Sequence, residues 1–448
     1  MHLRTGWLVV ALLGACGDDG VMSLPDAPPA PDAPVLPRVC IAPTGAGTVH
    51  NTNLAAAETW TEAASPHIIM FDTTVAAAIT IEACAVVRIA GGRTVTINTT
   101  GSITANGLAG NPVTIERLES ATAYGPIRAI GGVLSLTRTN VKGGGNPLGN
   151  PAIGAAIIMQ RSLAATTGSL HMDTVDIADS ASQGFAMSGA AGFDASSQAL
   201  TIHGSAGRPI LTSPNLLGSI PTGTYTGNTI NEVMIDTSGG PISTTQTLHD
   251  RGIPYIVDDE PNTTLDVVSF TGNVPVLTIE PGVILKFRPG STLRIDTGSG
   301  TSPAKGALIA VGTPAKPIVF TGIAAVPAPG DWFGIWFSGA TNPATRMQYA
   351  RVEYAGGASA TGSNSCPYPG RVGQNDAAIR IFGTTAPTTQ YITDTTILAS
   401  ARDGIDRGWR DDPAPDFLAT NTFTGVAGCK QSTPRTLNGV CPQTPLCP

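Results

Sequence analysis

Aspartates and arginines crowd one short stretch near the C-terminal end of the chain, and this combination could cleave a sugar polymer. The stretch covers residues 403–412 and contains Asp403, Asp406, Arg407, Trp409, Arg410, Asp411 and Asp412. A glycoside hydrolase needs two carboxylates facing one glycosidic bond, and a polysaccharide lyase needs a base beside acidic groups. The four aspartates are therefore the candidate catalytic residues. The same residues also suit a solvated loop whose aspartates and glycines serve turns, and we favour the loop.

Aromatic side chains form a second candidate site. They cluster in the order Trp332, Phe333, Trp336, Phe337, Tyr349 and Tyr354. If several faced solvent on neighbouring strands, they would form a platform for carbohydrate. The candidate ligand-binding residues are Trp332, Trp336, Tyr354 and Trp409. Aromatic residues make up only 5% of the chain, and we favour burial because a chain with few aromatic residues tends to place them inside.

Motifs for metals and cofactors are missing from the sequence. The acidic stretches at 258–260 and 403–412 lack the spacing of an EF-hand loop, and no histidine belongs to a His-Glu-x-x-His pattern. No cysteine pair has the Cys-x-x-Cys spacing of a zinc site. The Gly-x-Ser-x-Gly elbow of serine hydrolases and the phosphate-binding loop are absent too. We expect no metal site and no cofactor, with calcium at the acidic stretches as the open alternative.

The N-terminal residues have the pattern of an export signal. Arg4 precedes a short apolar run at residues 7–13, which is too short to span a membrane. The following Leu13-Gly14-Ala15-Cys16 resembles the lipobox of bacterial lipoproteins, which implies cleavage before Cys16 and acylation of that cysteine. An ordinary signal peptide with an incidental cysteine is the alternative. Acylation would anchor the protein to a membrane, and the proline-rich residues 16–38 would act as an extended tether.

Six further cysteines predict disulfide bonds. They are Cys40, Cys84, Cys366, Cys429, Cys441 and Cys447. An even number in an exported chain favours pairing in an oxidising compartment. Cys40 and Cys84 are the two in the first half of the chain, so we predict that they pair. The other four allow three connectivities, of which we prefer Cys366–Cys429 with Cys441–Cys447, as a cap on the C-terminal end.

Composition and charge limit the classes of fold and partner. The formal net charge of the 448 residues is −7, and removal of Arg4 with the signal makes it 24 − 32 = −8. A nucleic-acid partner is therefore not expected. Glycine and proline together number 53 + 36 = 89, and only 13% of residues are charged. This composition favours a long, narrow core that grows by stacking similar units.

An internal repeat is the strongest structural signal. Residues 79–82 correspond to 277–280, residues 86–89 to 284–287, and residues 101–115 to 306–320. Within the runs, apolar and polar residues alternate, so that Leu285 and Phe287 share one side and Lys286 and Arg288 the other. A period of two predicts strands with one buried face. Glycine or proline ends most runs, whereas hairpin signals are rare. The pattern favours a parallel β-helix, an all-β solenoid.

The second copy resembles a known family. The segments LTIEPGVILKF, GALIAVGTPAKPIVFTG, GDWFGI and YARVEYAGG, with the later GID and NTF elements, are similar to the pattern of bacterial secreted right-handed parallel β-helix proteins. Those proteins have the pectin-lyase-like fold and are often lipoproteins. The resemblance is close over residues 252–357 and fainter over residues 40–145. The family pattern concerns corners, inward aliphatic residues and wall tryptophans, and it implies no catalytic residues.

These features predict a domain order and a function. We expect a signal peptide at 1–15, an acylated tether at 16–38, a first β-helical block at 39–145, a divergent β-rich segment at 146–251, a second block at 252–428 and a cysteine-rich cap at 429–448. The expected function is that of a non-catalytic lipoprotein of the cell surface or outer membrane. It would serve in adhesion, in scaffolding, or in binding extracellular polysaccharide or another surface protein. The alternative is a polysaccharide lyase or glycoside hydrolase acting through residues 403–412.

Overall fold

Short runs of aliphatic and β-branched residues form strands, several of which end directly before a glycine, as at Gly107, Gly131 and Gly143. A computed structural model describes residues 39–146, 154–160, 168–189, 192–296, 305–338, 341–359, 376–383, 386–434 and 447. The chain from Val39 onward forms one compact unit. The predicted signal peptide, the predicted lipidation site Cys16 and the predicted tether lie outside the described residues, as do Cys366 and Cys441. Where the structure describes the chain, it contains no helix long and apolar enough to cross a membrane.

The described residues form 34 strands, all of them short. The first half comprises β1 (Thr48–His50), β2 (Glu58–Trp60), β3 (His67–Ile69), β4 (Thr73–Val75), β5 (Ala78–Glu82), β6 (Val86–Ile89), β7 (Val95–Ile97), β8 (Ser102–Asn106), β9 (Val113–Arg117), β10 (Ile127–Ile130), β11 (Val133–Lys142), β12 (Ile157–Gln160), β13 (Ser169–Ala178), β14 (Phe185–Ser188), β15 (Leu200–His203), β16 (Ile210–Thr212) and β17 (Gly223–Thr224).

The second half comprises β18 (Val233–Ile235), β19 (Gln246–Leu248), β20 (Tyr255–Val257), β21 (Thr264–Val267), β22 (Val276–Ile279), β23 (Ile284–Phe287), β24 (Thr292–Ile295), β25 (Ala307–Val311), β26 (Ile318–Gly322), β27 (Gly334–Ser338), β28 (Arg346–Gln348), β29 (Ala350–Glu353), β30 (Ala377–Phe382), β31 (Ile392–Thr393), β32 (Thr396–Leu398), β33 (Asp403–Gly408) and β34 (Thr422–Thr424). Two 3₁₀ helices, Pro214–Ser219 and Thr237–Gly239, complete the regular structure of this part of the chain.

These strands pair in parallel and build four long sheets. Sheet I contains 11 strands and runs from β1 to β17, with β2, β5 and β8 joining it through β11. Sheet II contains 13 strands and runs without a break from β4 to β34. Sheet III is β19–β22–β25–β28–β31, and sheet IV is β21–β24–β27–β30–β33. Each turn of the chain therefore adds one strand to several sheets, and the predicted all-β parallel β-helix is confirmed.

Inward-facing side chains stack from one turn to the next and form the core. One column in sheet II pairs Leu285 with Phe320, Phe320 with Val352, and Val352 with Ile397. All four side chains are fully buried. Along each strand these buried residues alternate with residues that face outward, which is the period of two that predicted one buried face.

The two sequence copies occupy different faces of the solenoid. In the first copy β6 and β9 lie in sheet I, and in the second copy the corresponding β23 and β26 lie in sheet II. Sheet I ends at β17, and sheet IV begins on the other side of sheet II, where Ile242 bridges to Val267. One face of the solenoid ends and another begins between the two copies. Corresponding segments of the repeat therefore lie on neighbouring faces in the first and the second copy.

Disulfides lie near both ends of the described body. Cys40 and Cys84 are bonded, as predicted. Cys429 is bonded to Cys447, so the preferred pairing of Cys429 with Cys366 and of Cys441 with Cys447 is wrong. The bond between Cys429 and Cys447 still closes the C-terminal end of the chain on itself, which fits the predicted disulfide cap.

Candidate functional site

Only the end of the 403–412 stretch, with Asp411 and Asp412, lies in a loop of the kind that the sequence favoured. Residues 403–408 form β33, in which every residue is buried. Asp403 Oδ1 accepts a hydrogen bond from the backbone N–H of Cys429 at 2.7 Å, and Asp406 Oδ1 accepts one from Ser432 Oγ at 3.3 Å. Asp411 and Asp412 lie beyond the strand and are exposed. Two carboxylates are thus buried between turns of the solenoid and two face solvent, so the four do not share one exposed groove.

Two of the four candidate aromatic residues serve the core. Trp332 is fully buried, stacks on Phe287 with ring centroids 4.2 Å apart, and donates from Nε1 to the carbonyl of Glu353 at 2.8 Å. Trp409 is also buried, and its Nε1 donates to the carbonyl of Asp412 at 2.8 Å. The preference for burial is correct for these two tryptophans, which offer no surface to a sugar.

Trp336 and Tyr354 are the half-buried members of the set. Trp336 stacks with Phe333 at 6.1 Å, and the guanidinium of Arg380 lies 5.3 Å from its ring. Tyr354 has a positive φ of 58°, which is uncommon for a residue other than glycine. The exposed aromatic surface is therefore one tryptophan and its neighbours, smaller than the platform the sequence suggested.

One group of three potential metal ligands occurs among the described residues. Cys40, Glu62 and Cys84 place their ligand atoms within 4.8 Å of one another. The two sulfurs are joined in a disulfide, and a metal needs them as free thiolates. The proximity of these atoms therefore reflects the disulfide.

An open groove of about 570 Å³ lies where sheet I ends and sheet III begins. Three segments from successive turns of the solenoid line it, around residues 193–197, 215–222 and 244–251. The lining includes Asp194, Ser197, Asn215, Gln246, His249 and Arg251. Successive strands of a sheet lie about 4.8 Å apart, so a groove that crosses three turns suits an elongated ligand.

Two amides hold adjacent turns together along the groove. Asn215 Nδ2 donates to the carbonyl of Pro241 at 2.9 Å, and Asn215 Oδ1 accepts from the backbone N–H of Ser243 at 2.8 Å. Gln246 Nε2 donates to the carbonyl of Pro214 at 2.7 Å, while Gln246 Oε1 accepts from the backbone N–H of Gly218 at 2.9 Å. These bonds replace the strand pairing that the 3₁₀ helix Pro214–Ser219 cannot make, and they fix the shape of the groove.

Asp194 is the one carboxylate among the residues that line the groove. Its Oδ1 accepts hydrogen bonds from Ser196 Oγ at 3.0 Å and Ser197 Oγ at 2.9 Å, and both of its oxygens lie 3.1 Å from His171 Nδ1. Burial acts to raise the pKa of this carboxyl, but the hydrogen bonds from His171 and the two serines outweigh it and lower the pKa below its ordinary value. The carboxylate is therefore ionised and well satisfied.

The Ser196, His171 and Asp194 side chains resemble a catalytic triad only in composition. Ser196 Oγ lies 3.1 Å from His171 Nδ1, the same ring nitrogen that contacts Asp194. In a working triad the serine and the acid contact opposite nitrogens of the imidazole. This arrangement lets Asp194 hold the serine and the histidine together, but it does not activate the serine.

His249 and Arg251 are the basic side chains of the groove. His249 Nδ1 lies 2.8 Å from Glu280 Oε1, and hydrogen bonds from His249 and from the backbone of Asp250 overcome the effect of burial and lower the pKa of Glu280. Since Nδ1 faces the carboxylate, Nε2 of His249 is left for other partners. Arg251 Nε donates to the carbonyl of Ile220 at 3.1 Å, which fixes the guanidinium against the wall.

No local pattern in the sequence predicts this groove. Its residues come from three turns, and the contact between His249 and Glu280 joins positions 31 residues apart. The one available signal was negative, since the repeat becomes hard to trace over residues 146–251, where the groove lies.

Searches against protein-family models, curated proteins and solved structures each found no match to this chain.

Proposed function

We propose that this protein binds an extracellular polysaccharide through the groove at residues 193–251, without cleaving it. The observation that carries the proposal is the groove itself, which is open, crosses three turns and is lined mainly by uncharged hydrogen-bonding groups. Threonine hydroxyls at 222, 244 and 247, with His249 and Arg251, offer donors and acceptors to sugar hydroxyls. The strands, and the hydrogen bonds that the Asn215 and Gln246 side chains make between turns, hold these groups in place before a ligand binds.

The carboxylates near the groove support binding over hydrolysis. Hydrolysis of a glycoside needs a second carboxylate across the bond, and the described lining supplies Asp194 alone. A general acid also needs a raised pKa, whereas hydrogen bonds lower the pKa of Asp194. Asp403 and Asp406, the earlier candidates, are buried between turns of the solenoid.

The N-terminal pattern supports a surface location for this binding. Cys16 in the lipobox-like Leu13-Gly14-Ala15-Cys16 would carry the lipid, and the proline-rich residues 16–38 would hold the β-helix away from the membrane. An anchored polysaccharide-binding solenoid would serve in adhesion or in organising surface material. Labelling with a radioactive fatty acid tests the anchor, and Cys16→Ser must abolish the label.

A panel of extracellular polysaccharides, scored for both binding and release of fragments, tests the binding proposal. We expect binding without release. His249→Ala and Arg251→Met should each weaken binding by about tenfold, since a lost hydrogen bond to a ligand is worth about 1.4 kcal/mol. Thr222→Trp, which fills the groove at an exposed position, should abolish it.

Matched controls separate the groove from the rest of the surface. His203 is also paired with a carboxylate, Asp176 at 3.1 Å, but lies outside the groove. His203→Ala and the exposed Thr52→Trp should bind like the unaltered chain. If all groove variants bind polysaccharide as tightly as the unaltered chain, the groove is not the binding site. Release of fragments would show that the protein is an enzyme.

A further inference from the structure

Aromatic and imidazole rings fill the N-terminal end of the solenoid. His50 in β1, Trp60 in β2 and His67 in β3 face inward, and we call this set the N-terminal plug. Trp60 and His67 are each 2% exposed. The Trp60 ring lies 4.5 Å from His50 and 5.1 Å from His67 between centroids. The plug closes the first turns over an apolar core that includes Ile69 and Ile81.

A continuous chain of polar contacts runs through the plug. Glu58 Oε2 accepts from Trp60 Nε1 at 2.8 Å and lies 3.3 Å from His50 Nδ1. His50 Nε2 lies 3.2 Å from His67 Nδ1. His67 Nε2 lies 3.1 Å from the carbonyl oxygen of Thr61. All four ring nitrogens of the two histidines are therefore committed to partners.

The number of protons in this chain follows from the chemistry of its ends. The Glu58 carboxylate and the Thr61 carbonyl only accept, so His50 Nδ1 and His67 Nε2 must each carry a proton. One further proton is shared between His50 Nε2 and His67 Nδ1. The full chain thus holds three protons on two imidazoles, which is one positive charge. Two neutral rings leave one contact unmade, and two cations put protons on both nitrogens of the 3.2 Å contact.

We propose that the N-terminal plug is an acid-labile closure of the solenoid, which opens the first turns when both histidines become protonated. Two facing imidazolium groups repel each other, and one carboxylate, Glu58, is available to compensate them. Opening separates β1, β2 and β3 from the body and uncovers the edges of the strands beneath them. Since exposed parallel edges pair readily with other strands, the acid form gains a surface for self-association.

The charged groups around the plug do not supply a second compensating acid. Glu62, in the turn between β2 and β3, accepts a hydrogen bond on Oε1 from the backbone N–H of Ile41 at 3.0 Å. On β6, which pairs with β3, Arg88 faces outward and binds Glu116 at 2.9 Å. On β5, which pairs with β2, Glu82 is exposed on the outer face. The described part of β1, β2 and β3 carries Glu58 as its one carboxylate.

Burial opposes the added positive charge of a second proton on the closed plug. Burial lowers the pKa of both histidines below the ordinary value of 6.5, with Glu58 opposing it in each case. A base whose pKa is lowered in the closed form stabilises that form above the ordinary pKa and loses this stability as the pH falls. The open form then binds at least one proton more than the closed form, so opening increases about tenfold for each pH unit below about 6.

Hydrogen exchange of the full chain, followed by mass spectrometry from pH 8 to pH 5 and corrected for intrinsic rates, tests the proposal. We expect protection of residues 48–69 to fall about tenfold per pH unit below about 6. Protection of residues 318–322, in a strand that contains no histidine and pairs with strands that contain none, should stay constant. A pH-independent protection of residues 48–69 would overturn the proposal.

Variants identify the titrating pair. His67→Gln and His50→Gln each remove one imidazole, and both should flatten the pH profile of residues 48–69. His203→Gln, at an exposed histidine paired with Asp176, should keep the profile of the unaltered chain. If the profile persists in both plug variants, the titrating group lies elsewhere and the proposal fails. If a plug variant already loses protection at pH 8, the pH dependence of protection at residues 48–69 in the unaltered chain alone tests the proposal.

Discussion

The guanidinium of Arg208 donates from Nη1 and Nη2 to the two carboxylate oxygens of Asp259, at 2.9 Å each, although 51 residues separate them. Arg288 Nη2 donates to the same carboxylate at 2.8 Å. Asp259 lies in the acidic stretch at 258–260, directly after β20. It binds arginines from two other turns, so these ion pairs hold turns in the middle of the solenoid together.

Removal of this fastening should destabilise the protein. We expect Arg208→Ala to lower the free energy of unfolding by about 1–3 kcal/mol, because a largely buried, bidentate ion pair is lost. The control is Arg88→Ala, which removes a single contact to Glu116 between side chains that are each about one-third exposed. Exposed pairs contribute below about 1 kcal/mol. Urea denaturation followed by circular dichroism measures both, and equal losses would contradict the assignment.

A glycine at the same place in each sequence copy is required by space. A Cβ on Gly101 would overlap the carbonyl oxygen of Val75, and one on Gly306 would overlap the carbonyl oxygen of Val267. Each carbonyl belongs to the strand one turn earlier. The repeated glycine thus marks where the chain must pass against the backbone of the preceding turn.

Alanine at these positions should act alike. We expect Gly101→Ala and Gly306→Ala each to lower the free energy of unfolding by about 2–4 kcal/mol, since backbone must move to make room. Gly45→Ala, whose Cβ would have no atom nearer than 3.9 Å, should change it by less than about 0.5 kcal/mol. Thermal unfolding followed by circular dichroism measures the three. A tolerated Gly306→Ala would show that the turns can separate there without loss.

The sequence predicted the fold because local patterns carry it. Alternation along β23 and β24, and glycines such as Gly306, depend on neighbours one turn away and repeat along the chain. The bond between Cys40 and Cys84 was predictable because no other cysteine lies in that half of the body. The partner of Cys429 was not, since three connectivities were open to the other four cysteines and the one we preferred is wrong.

The middle of the chain was hard to trace for a physical reason. The strands β14, β16, β18 and β20 are buried on both faces, because their outward residues form a second apolar cluster. That cluster contains Ala155, Ile158, Ala186, Leu211, Met234 and Ile256. Such strands read as continuous apolar runs and lose the period of two. The groove lies in this same region and depends on contacts between distant residues, which no local pattern records.

The C-terminal disulfide can be checked directly. Peptide mapping without reduction should recover Cys429 linked to Cys447 and Cys40 linked to Cys84. A peptide linking Cys366 to Cys429 would contradict the structure. We expect Cys40→Ser with Cys84→Ser to lower the free energy of unfolding by about 2–4 kcal/mol, because the bond closes a loop between residues 44 apart. The unaltered chain, denatured with and without reductant, provides the comparison.

Trp332, just before β27, lies in the core, whereas Trp336, within β27, lies partly at the surface. We expect Trp332→Ala to lower the free energy of unfolding by about 3–5 kcal/mol, because a buried ring stacked on Phe287 is lost. Trp336→Ala should lower it by about 1 kcal/mol, since this ring is half-buried and its main polar contact is a cation–π contact with Arg380. Denaturation measures both changes.

The same two variants also test the groove, because neither tryptophan lines it. Both variants, while folded, should bind polysaccharide like the unaltered chain, and loss of binding in Trp336→Ala alone would place the sugar on the aromatic face of sheet IV.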